Sequence, residues 1–142
     1  MFSDSVIDPM TIQAFLETEY RVHGDAPLTL KVGVASPGLA ALHKAHRVTT
    51  STYVTACNPF SQLIDEGANG DRQAALAREL QERSLVYFDG VGQHPLNQWP
   101  GEASFLVLGL SLEAAKALGV KHEQNAIVWC GPDAVSELIL LR

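Results

Sequence analysis

Residues 104–130 have the sequence SFLVLGLSLEAAKALGVKHEQNAIVWC, in which a helical pattern separates two apolar segments. Residues 104–110 and 126–130 are almost continuously apolar, which is typical of strands that are covered on both faces. Ser111 is a helix N-cap, and apolar residues at helical spacing follow it. This stretch therefore predicts a strand, a helix and a second strand within one buried sheet.

The residues before this stretch predict the same kind of elements. Residues 50–57 are rich in β-branched residues and predict a strand, which Asn58-Pro59 ends. A helix capped by Asn69 or Asp71 follows and ends near Arg83. A strand is then predicted at residues 85–89, and loops at residues 61–70 and 90–101. With right-handed crossovers, the order strand–helix–strand–strand–helix–strand predicts an α+β protein with a ferredoxin-like split βαβ core.

Further elements are predicted at both ends of the chain. The pairs Asp8-Pro9 and Ser36-Pro37 each begin a helix. The predicted N-terminal helices and extra strands are residues 9–20, 28–34, 36–46 and 135–141. Residues 1–142 contain no repeat or linker and are expected to form a single α+β domain. The N-terminal helices or a partner chain must then cover the second face of the sheet, and a three-layer α/β sandwich is the alternative fold.

Composition excludes several classes of protein. Apolar residues make up 46% and charged residues 18% of the chain, which is typical of a globular protein. The net charge of −6 argues against a nucleic-acid or anionic membrane partner. Cys57 and Cys130 cannot form a disulfide framework, and Met1–Asp4 lacks the pattern of a signal peptide. A cytoplasmic location is therefore expected, and the sequence identifies no cofactor.

Polar residues far apart in the sequence are expected to converge if this fold is correct. In a split βαβ core, one end of the sheet collects the ends and starts of several strands and helices. Loops at sheet ends commonly bind ligands. The candidate ligand-binding residues at this rim are Thr55, Asn58, Asn69, Arg72, Trp99, Ser104, Gln124 and Asn125, and the candidate catalytic residue is Glu102.

Each candidate also has a purely structural interpretation. Arg72 lies in the first turn of a predicted helix, where a cation is unfavourable, so it indicates either a bound anion or an ion pair with Glu102. Glu102 is a potential general acid or base. Asn58 before Pro59 is equally suited to an Asx turn. Gln124 and Asn125 could bond loop backbone instead of a ligand, and Trp99 could cover the core.

Other patterns are weaker. His43 and His46 lie three residues apart on a predicted helix, but zinc needs three or four ligands, and no metal site is predicted. Cys57 could act as a nucleophile with His94 or His122, although buried structural cysteines are far more common. Residues 90–92 (GVG) lack the Gly-Lys-Ser/Thr ending of a phosphate-binding loop.

Four short motifs together resemble one family. They are TACNP at residues 55–59, NGDR at 69–72, EAS at 102–104 and QNA at 124–126. In this order they resemble an uncharacterised bacterial domain-of-unknown-function family (number 3293). The resemblance implies a bacterial, cytoplasmic protein whose characteristic positions are Asn58, Arg72, Glu102, Gln124 and Asn125. Cys57 occupies a variable position of the first motif, and the resemblance implies no established activity.

Two functions from different classes follow. The first is binding of an anionic small molecule or nucleotide at the rim, with Arg72 as anion clamp and Glu102 as acid or base. The alternative is a protein–protein interaction or regulatory module, most simply a homodimer, without catalysis. Its motivation is the pair of strands that must be covered on both faces.

Overall fold

The computed structural model describes residues 4–142, which contain a mixed set of helices and strands. The elements are α1 (Pro9–Glu17), β1 (Glu19–Val22), β2 (Leu28–Leu30), α2 (Pro37–Ala45), β3 (Ser51–Val54), α3 (Glu66–Glu82), β4 (Tyr87–Gln93), β5 (Glu102–Leu108), α4 (Leu112–Lys121), β6 (Ala126–Cys130) and β7 (Ser136–Leu140). A 3₁₀ turn covers Pro59–Ser61. Three predicted caps form, because Asp8, Ser36 and Ser111 each accept a backbone N–H of the helix that follows.

All strands of the described residues join one sheet in the order β2-β1-β4-β5-β3-β6-β7. Every neighbouring pair is antiparallel. Helix α3 connects β3 to β4, and helix α4 connects β5 to β6; each connection crosses one intervening strand. The predicted α+β class is therefore confirmed.

Helices cover both faces of the sheet. One face packs against α3 and α4 through Leu76, Leu80 and Leu118, and the other packs against α2 through Leu39. All four residues of β3 are buried. The uncovered apolar face that would have required a partner chain is therefore absent from the described residues. Among these residues no helix is long and apolar enough to cross a membrane.

The sheet is curled, and its two edge strands approach each other at one end. The segment after β2 forms isolated bridges to the β7 region at Val32–Ser136 and Ala35–Val135. The N–H of Gly33 donates to the carbonyl oxygen of Ser136 at 2.8 Å. The concave face therefore encloses one of the two cores, and α1 lies against the same face.

The prediction for residues 9–20 as one helix is wrong at its C-terminal end, because α1 ends at Glu17 and β1 follows. Thr18 is extended, and its hydroxyl donates to the carbonyl of Ala14 at 2.6 Å. Tyr20 then points into the core on the concave face. A four-residue strand directly after a helix has too few residues for its alternation to be recognised.

The prediction of a loop from residue 90 is also wrong, because β4 continues to Gln93. A Cβ on Gly90 would lie 2.1 Å from the carbonyl oxygen of Arg21 and 2.7 Å from the hydroxyl of Tyr53. Glycine is required there by the close approach of a neighbouring strand and a tyrosine, not by a turn.

Other predicted boundaries shift as well. Strand β5 spans Glu102–Leu108 instead of residues 104–110, and β4 begins at Tyr87 instead of residue 85. Helix α3 begins at Glu66 with Asp65 as its N-cap, not at Asn69 or Asp71, which shortens the predicted loop 61–70. Strand β2 ends at Leu30 instead of residue 34, and β3 ends at Val54 instead of residue 57.

Candidate functional site

A cavity of about 240 Å³ lies on the concave face of the sheet, beneath α1. Its wall is mainly apolar and aromatic, with Phe15, Tyr20, Tyr53 and Trp99 contributing rings. None of the described residues that line it is Lys or Arg. The predicted site residues that line this cavity are Thr55, Asn58, Trp99, Glu102, Ser104 and Gln124.

Glu102 is the acidic group of the cavity wall and stands at the first position of β5. Its Oε2 accepts a hydrogen bond from Asn58 Nδ2 at 2.7 Å and from Trp99 Nε1 at 3.4 Å. Among the described residues, no basic group forms an ion pair with it, and none donates to Oε1. Burial raises the pKa of Glu102 above its ordinary value, although the two donors oppose the shift.

Asn58 holds this carboxylate from a strained backbone position. It has φ 48° and ψ 70° although it precedes a proline, where the left-handed region is disfavoured. Its Oδ1 accepts from the N–H of Ile64 at 3.1 Å and from Asn69 Nδ2 at 2.9 Å. The side chain therefore bridges to Glu102 and to the start of α3 instead of forming the Asx turn considered from the sequence.

Two tyrosines that the sequence analysis missed form the floor of the cavity. The rings of Tyr20 and Tyr53 meet edge to face with centroids 5.3 Å apart. Their hydroxyls donate to the carbonyl oxygens of Phe15 and Arg21 at 2.6 and 2.7 Å. Burial raises the pKa of both phenols, so they remain protonated donors at neutral pH.

The comparison with protein families matches residues 54–127, just over half of the chain, to the model described as Protein of unknown function (DUF3293). The chain belongs to this family. Neither a curated protein nor a solved structure matches the chain significantly. The part matched to the DUF3293 family includes Asn58, Arg72, Glu102, Gln124 and Asn125, whereas α1 and β1 lie outside it.

Arg72 lies away from the cavity in this DUF3293 member. Its Nε donates to the carbonyl of Ala56 at 2.6 Å, and its Nη2 donates to the carbonyl of His122 at 2.7 Å. Its ion-pair partner is Glu123, at 3.2 Å, and not Glu102 as considered from the sequence. The guanidinium thus joins the segment after β3 to the α4–β6 connection. The prediction that Arg72 lies in the first turn of its helix is wrong, because α3 begins at Glu66 and Arg72 is its seventh residue. The sequence also could not show the two carbonyls that bind the guanidinium.

Two other candidates also lie outside the cavity and brace its rim. Asn69 accepts the backbone N–H of Asn58 at 2.8 Å as well as donating to its side chain. Asn125 donates to Ser61 Oγ at 2.8 Å and accepts from Arg142 Nη1 at 3.2 Å. Both amides therefore support the segment that carries Asn58.

The remaining candidates use their donor groups within the protein. Gln124 Nε2 donates to the carbonyls of Cys57 at 3.1 Å and His122 at 3.2 Å, while its Oε1 accepts no hydrogen bond from the described residues. Thr55 Oγ1 donates to the carbonyl of Ala103, and Ser104 Oγ to that of Glu102. Glu102 Oε1 and Gln124 Oε1 are therefore carboxylate and amide acceptors of the wall with unused capacity.

A second cavity of about 310 Å³ lies behind Glu102, against the start of α3. Its wall includes Cys57 and Gln73. Burial raises the pKa of the Cys57 thiol, the opposite of what a nucleophilic cysteine requires. Its Sγ lies 3.6 Å from the carbonyl oxygen of Ala103 and 4.0 Å from Gln73 Oε1. The geometry around Cys57 is that of a packed structural thiol.

The histidines occupy separate places. His43 Nε2 lies 2.9 Å from Ser51 Oγ in the core, and His46 packs against the ring of Phe88. His94 lines the cavity, and its Nε2 lies 2.9 Å from Glu17 Oε1. Among residues 4–142, no group of three or more His, Cys, Asp and Glu side chains is arranged to hold a metal ion.

Proposed function

We propose that this protein binds a small molecule in the cavity beneath α1. The observation that carries the proposal is the half-buried Glu102 carboxylate, which has an amide partner in Asn58 and no basic partner among the described residues, on a mainly apolar wall without Lys or Arg. An apolar pocket with a few convergent polar groups and a perturbed acid is the usual form of a ligand site. The backbone strain at Asn58 is of the kind that clusters at such sites.

The charge of the wall bears on the ligand class expected from the sequence, an anionic small molecule or nucleotide. An anion would need a basic group or free backbone donors, and Arg72 already satisfies two carbonyls and Glu123 elsewhere. An anionic ligand therefore receives little support from the cavity. Glu102 favours a ligand that donates hydrogen bonds or carries positive charge.

A catalytic role for Glu102 stays a prediction. Burial shifts the pKa of Glu102 upwards, in the direction of neutral pH, which suits a group that transfers protons. Asn58 and Trp99 donate to the carboxylate and orient it, but the same arrangement suits binding alone.

Two further proposals concern fold and location. Strands β6-β3-β5-β4 with α3 and α4 have the order and antiparallel pairing of a ferredoxin-like split βαβ core, which supports that arrangement. The two free, buried cysteines support a reducing cytoplasmic environment. The interaction-module alternative loses its main support, because α1 and α2 lie against the face that a partner chain would have covered.

The proposal is tested by thermal-shift screening of a varied small-molecule panel against three proteins. They are the wild type, Ala14→Phe, which fills the cavity from α1, and the matched surface variant Gln13→Ala. A ligand at a hundredfold its dissociation constant adds about 2.7 kcal/mol of stability, which raises the melting temperature by about 5–10 °C for a domain of this size.

Hits that persist in Gln13→Ala and disappear in Ala14→Phe would support binding in the cavity. Hits that survive the filled cavity, or a varied panel without a single hit, would overturn the proposal. Circular dichroism of each variant checks that the fold is retained.

A further inference from the structure

We infer that the ligand of this cavity is a compact organic ammonium ion, held between the Glu102 carboxylate and the surrounding aromatic rings. This inference rests on the proposed function and specifies its ligand class. It depends on which polar atoms of the wall remain unused, on the aromatic composition of the wall, and on the volume of the cavity.

The polar wall offers acceptors to a ligand more than donors. Glu102 Oε1 and Gln124 Oε1 receive no hydrogen bond from the described residues. Five hydroxyl groups of the wall instead donate to backbone carbonyls, and these belong to Thr18, Tyr20, Tyr53, Thr55 and Ser104. A ligand that donates hydrogen bonds therefore finds partners here. A carboxylate or phosphate would find only the neutral donors of Thr11, Ser61 and Asn97, and neither Lys nor Arg, among the described residues of the wall.

The charge of the wall points the same way. Glu102 is half-buried and has no counter-ion among the described residues, and its burial raises its pKa. An arriving cation would therefore gain a partner that water screens only in part. His94 also lines the cavity and is a side chain that can carry positive charge. Its Nε2 bonds Glu17, however, and its Nδ1 accepts the N–H groups of Leu96 and Asn97. Its ring nitrogens are thus committed to closing the loop onto α1.

The aromatic rings favour a cation over a neutral donor. An ammonium ion within about 6 Å of a ring face is attracted by the quadrupole of the ring, most strongly for tryptophan. Trp99 places its indole beside Glu102, since its Nε1 donates to Oε2. Tyr20 and Tyr53 are fixed by their hydroxyl bonds, so their rings are already positioned before a ligand arrives.

The volume limits the size of the ligand. A cavity of about 240 Å³ is below the range of about 300–1,000 Å³ that is usual for drug-sized ligands. A whole nucleotide would extend beyond it, whereas a small ammonium with a few carbon atoms would fill it. Compactness and positive charge together define the class.

The test uses four probes of one shape and different charge. Choline and neohexylamine are cations, neohexyl alcohol is the uncharged isostere of choline, and ionised tert-butylacetic acid is the anion. Each is titrated into the full chain by calorimetry, with chemical-shift perturbation as a second readout. We expect a cation to bind at least about tenfold more tightly than the alcohol.

Two variants locate the effect. Glu102→Gln is expected to reduce cation affinity by about tenfold or more and to change the affinity of the alcohol much less, because glutamine keeps an acceptor oxygen but loses the charge. The matched control Glu82→Gln removes the same charge from the exposed last residue of α3 and should change neither. Because Glu102→Gln could disturb the fold, Trp99→Leu at a partly exposed position is the second test and should also reduce the preference for cations.

The outcomes separate the inference from the proposed function. If the alcohol or the anion binds as tightly as the cations, and Ala14→Phe abolishes that binding, then the cavity is a ligand site but the ammonium inference is wrong. The inference is also wrong if no cation binds at about 10 mM. If, in addition, the varied panel gives no hit, the proposed function fails as well.

Discussion

The contact between Asn58 and Glu102 makes a sharp prediction for Asn58→Asp. The amide oxygen of Asn58 accepts from Ile64 and Asn69, and a carboxylate can keep both bonds. Only the nitrogen changes, and it is the atom that donates to Glu102 Oε2 at 2.7 Å. The substitution therefore replaces a donor by an oxygen at one contact and leaves the remaining geometry alone.

Two ionised carboxylates about 3–4 Å apart repel by roughly 4–6 kcal/mol at an effective dielectric constant of about 20. We expect a loss of this size at about pH 8, which lowers the melting temperature by about 10–20 °C. Near pH 4–5 the two carboxyl groups can share one proton, so the repulsion and the loss of stability should largely disappear. Keeping that proton at higher pH costs about 1.4 kcal/mol per pH unit, so the loss should grow as the pH rises.

Urea denaturation at several pH values measures the effect. Adding Glu102→Gln to Asn58→Asp should recover more than half of the lost stability at about pH 8, because the introduced amide then donates to the introduced carboxylate. The control Asn125→Asp also adds a buried carboxylate, but its neighbour is Arg142, so stability should not fall as the pH rises. A loss in Asn58→Asp that is equal at both pH values, or no recovery in the double variant, would refute the reasoning.

Three other variants test the remaining structure. Arg72→Ala removes three hydrogen bonds and should cost about 2–4 kcal/mol in urea denaturation, with unchanged affinity for any probe of the cavity; lost binding in a folded variant would restore the anion-clamp prediction. Gly90→Ala forces a methyl group against Arg21 and Tyr53 and should cost at least about 2–3 kcal/mol, whereas Gly70→Ala, in open space on α3, should not. The folded protein binds the Glu102 proton more tightly than the unfolded chain does, because burial raises the pKa of this carboxyl. The stability of the wild type relative to Glu102→Gln should therefore be constant below about pH 4 and fall as the pH rises through the raised pKa. A stability difference that does not change with pH would show that the pKa of the carboxyl is not perturbed.

The sequence predicted the elements that are long or have strong local signals. Strands β5 and β6 are recognisable, with β5 shifted by two residues from its predicted range, because central strands covered on both faces are apolar throughout. The helix caps Asp8, Ser36 and Ser111 have their own chemical signature. β1 was missed because it has only four residues. Its partner segment in β4 contains Gly90, which suggested a loop, but glycine is needed there because residues distant in the sequence approach it closely. Such contacts have no local signal.

The candidate site shows the same division. The predicted strand order brought Thr55, Asn58, Glu102, Ser104 and Gln124 to one end of the sheet, and the structure places all of them on one cavity wall. The sequence could not show that Tyr20 and Tyr53 form the floor, because their position follows from the curl of the sheet and from β1, whose first two residues were assigned to a helix. It also could not separate Arg72 from the site, since the atoms that bind its guanidinium are backbone carbonyls, which every residue carries.

Hydrogen-bond capacity distinguishes the residues that build the rim from the group that remains for a ligand. Asn58, Asn69 and Arg72 direct their side chains to partners within the chain, and their removal should be seen first in stability. Glu102 differs, because one oxygen is held by Asn58 and the other accepts nothing from the described residues. A half-buried carboxylate without a cation destabilises the folded protein unless a ligand compensates for it. The backbone strain at Asn58 and the unpaired charge of Glu102 therefore both destabilise the folded protein at one contact. A ligand that neutralises the carboxylate removes the destabilisation caused by the charge.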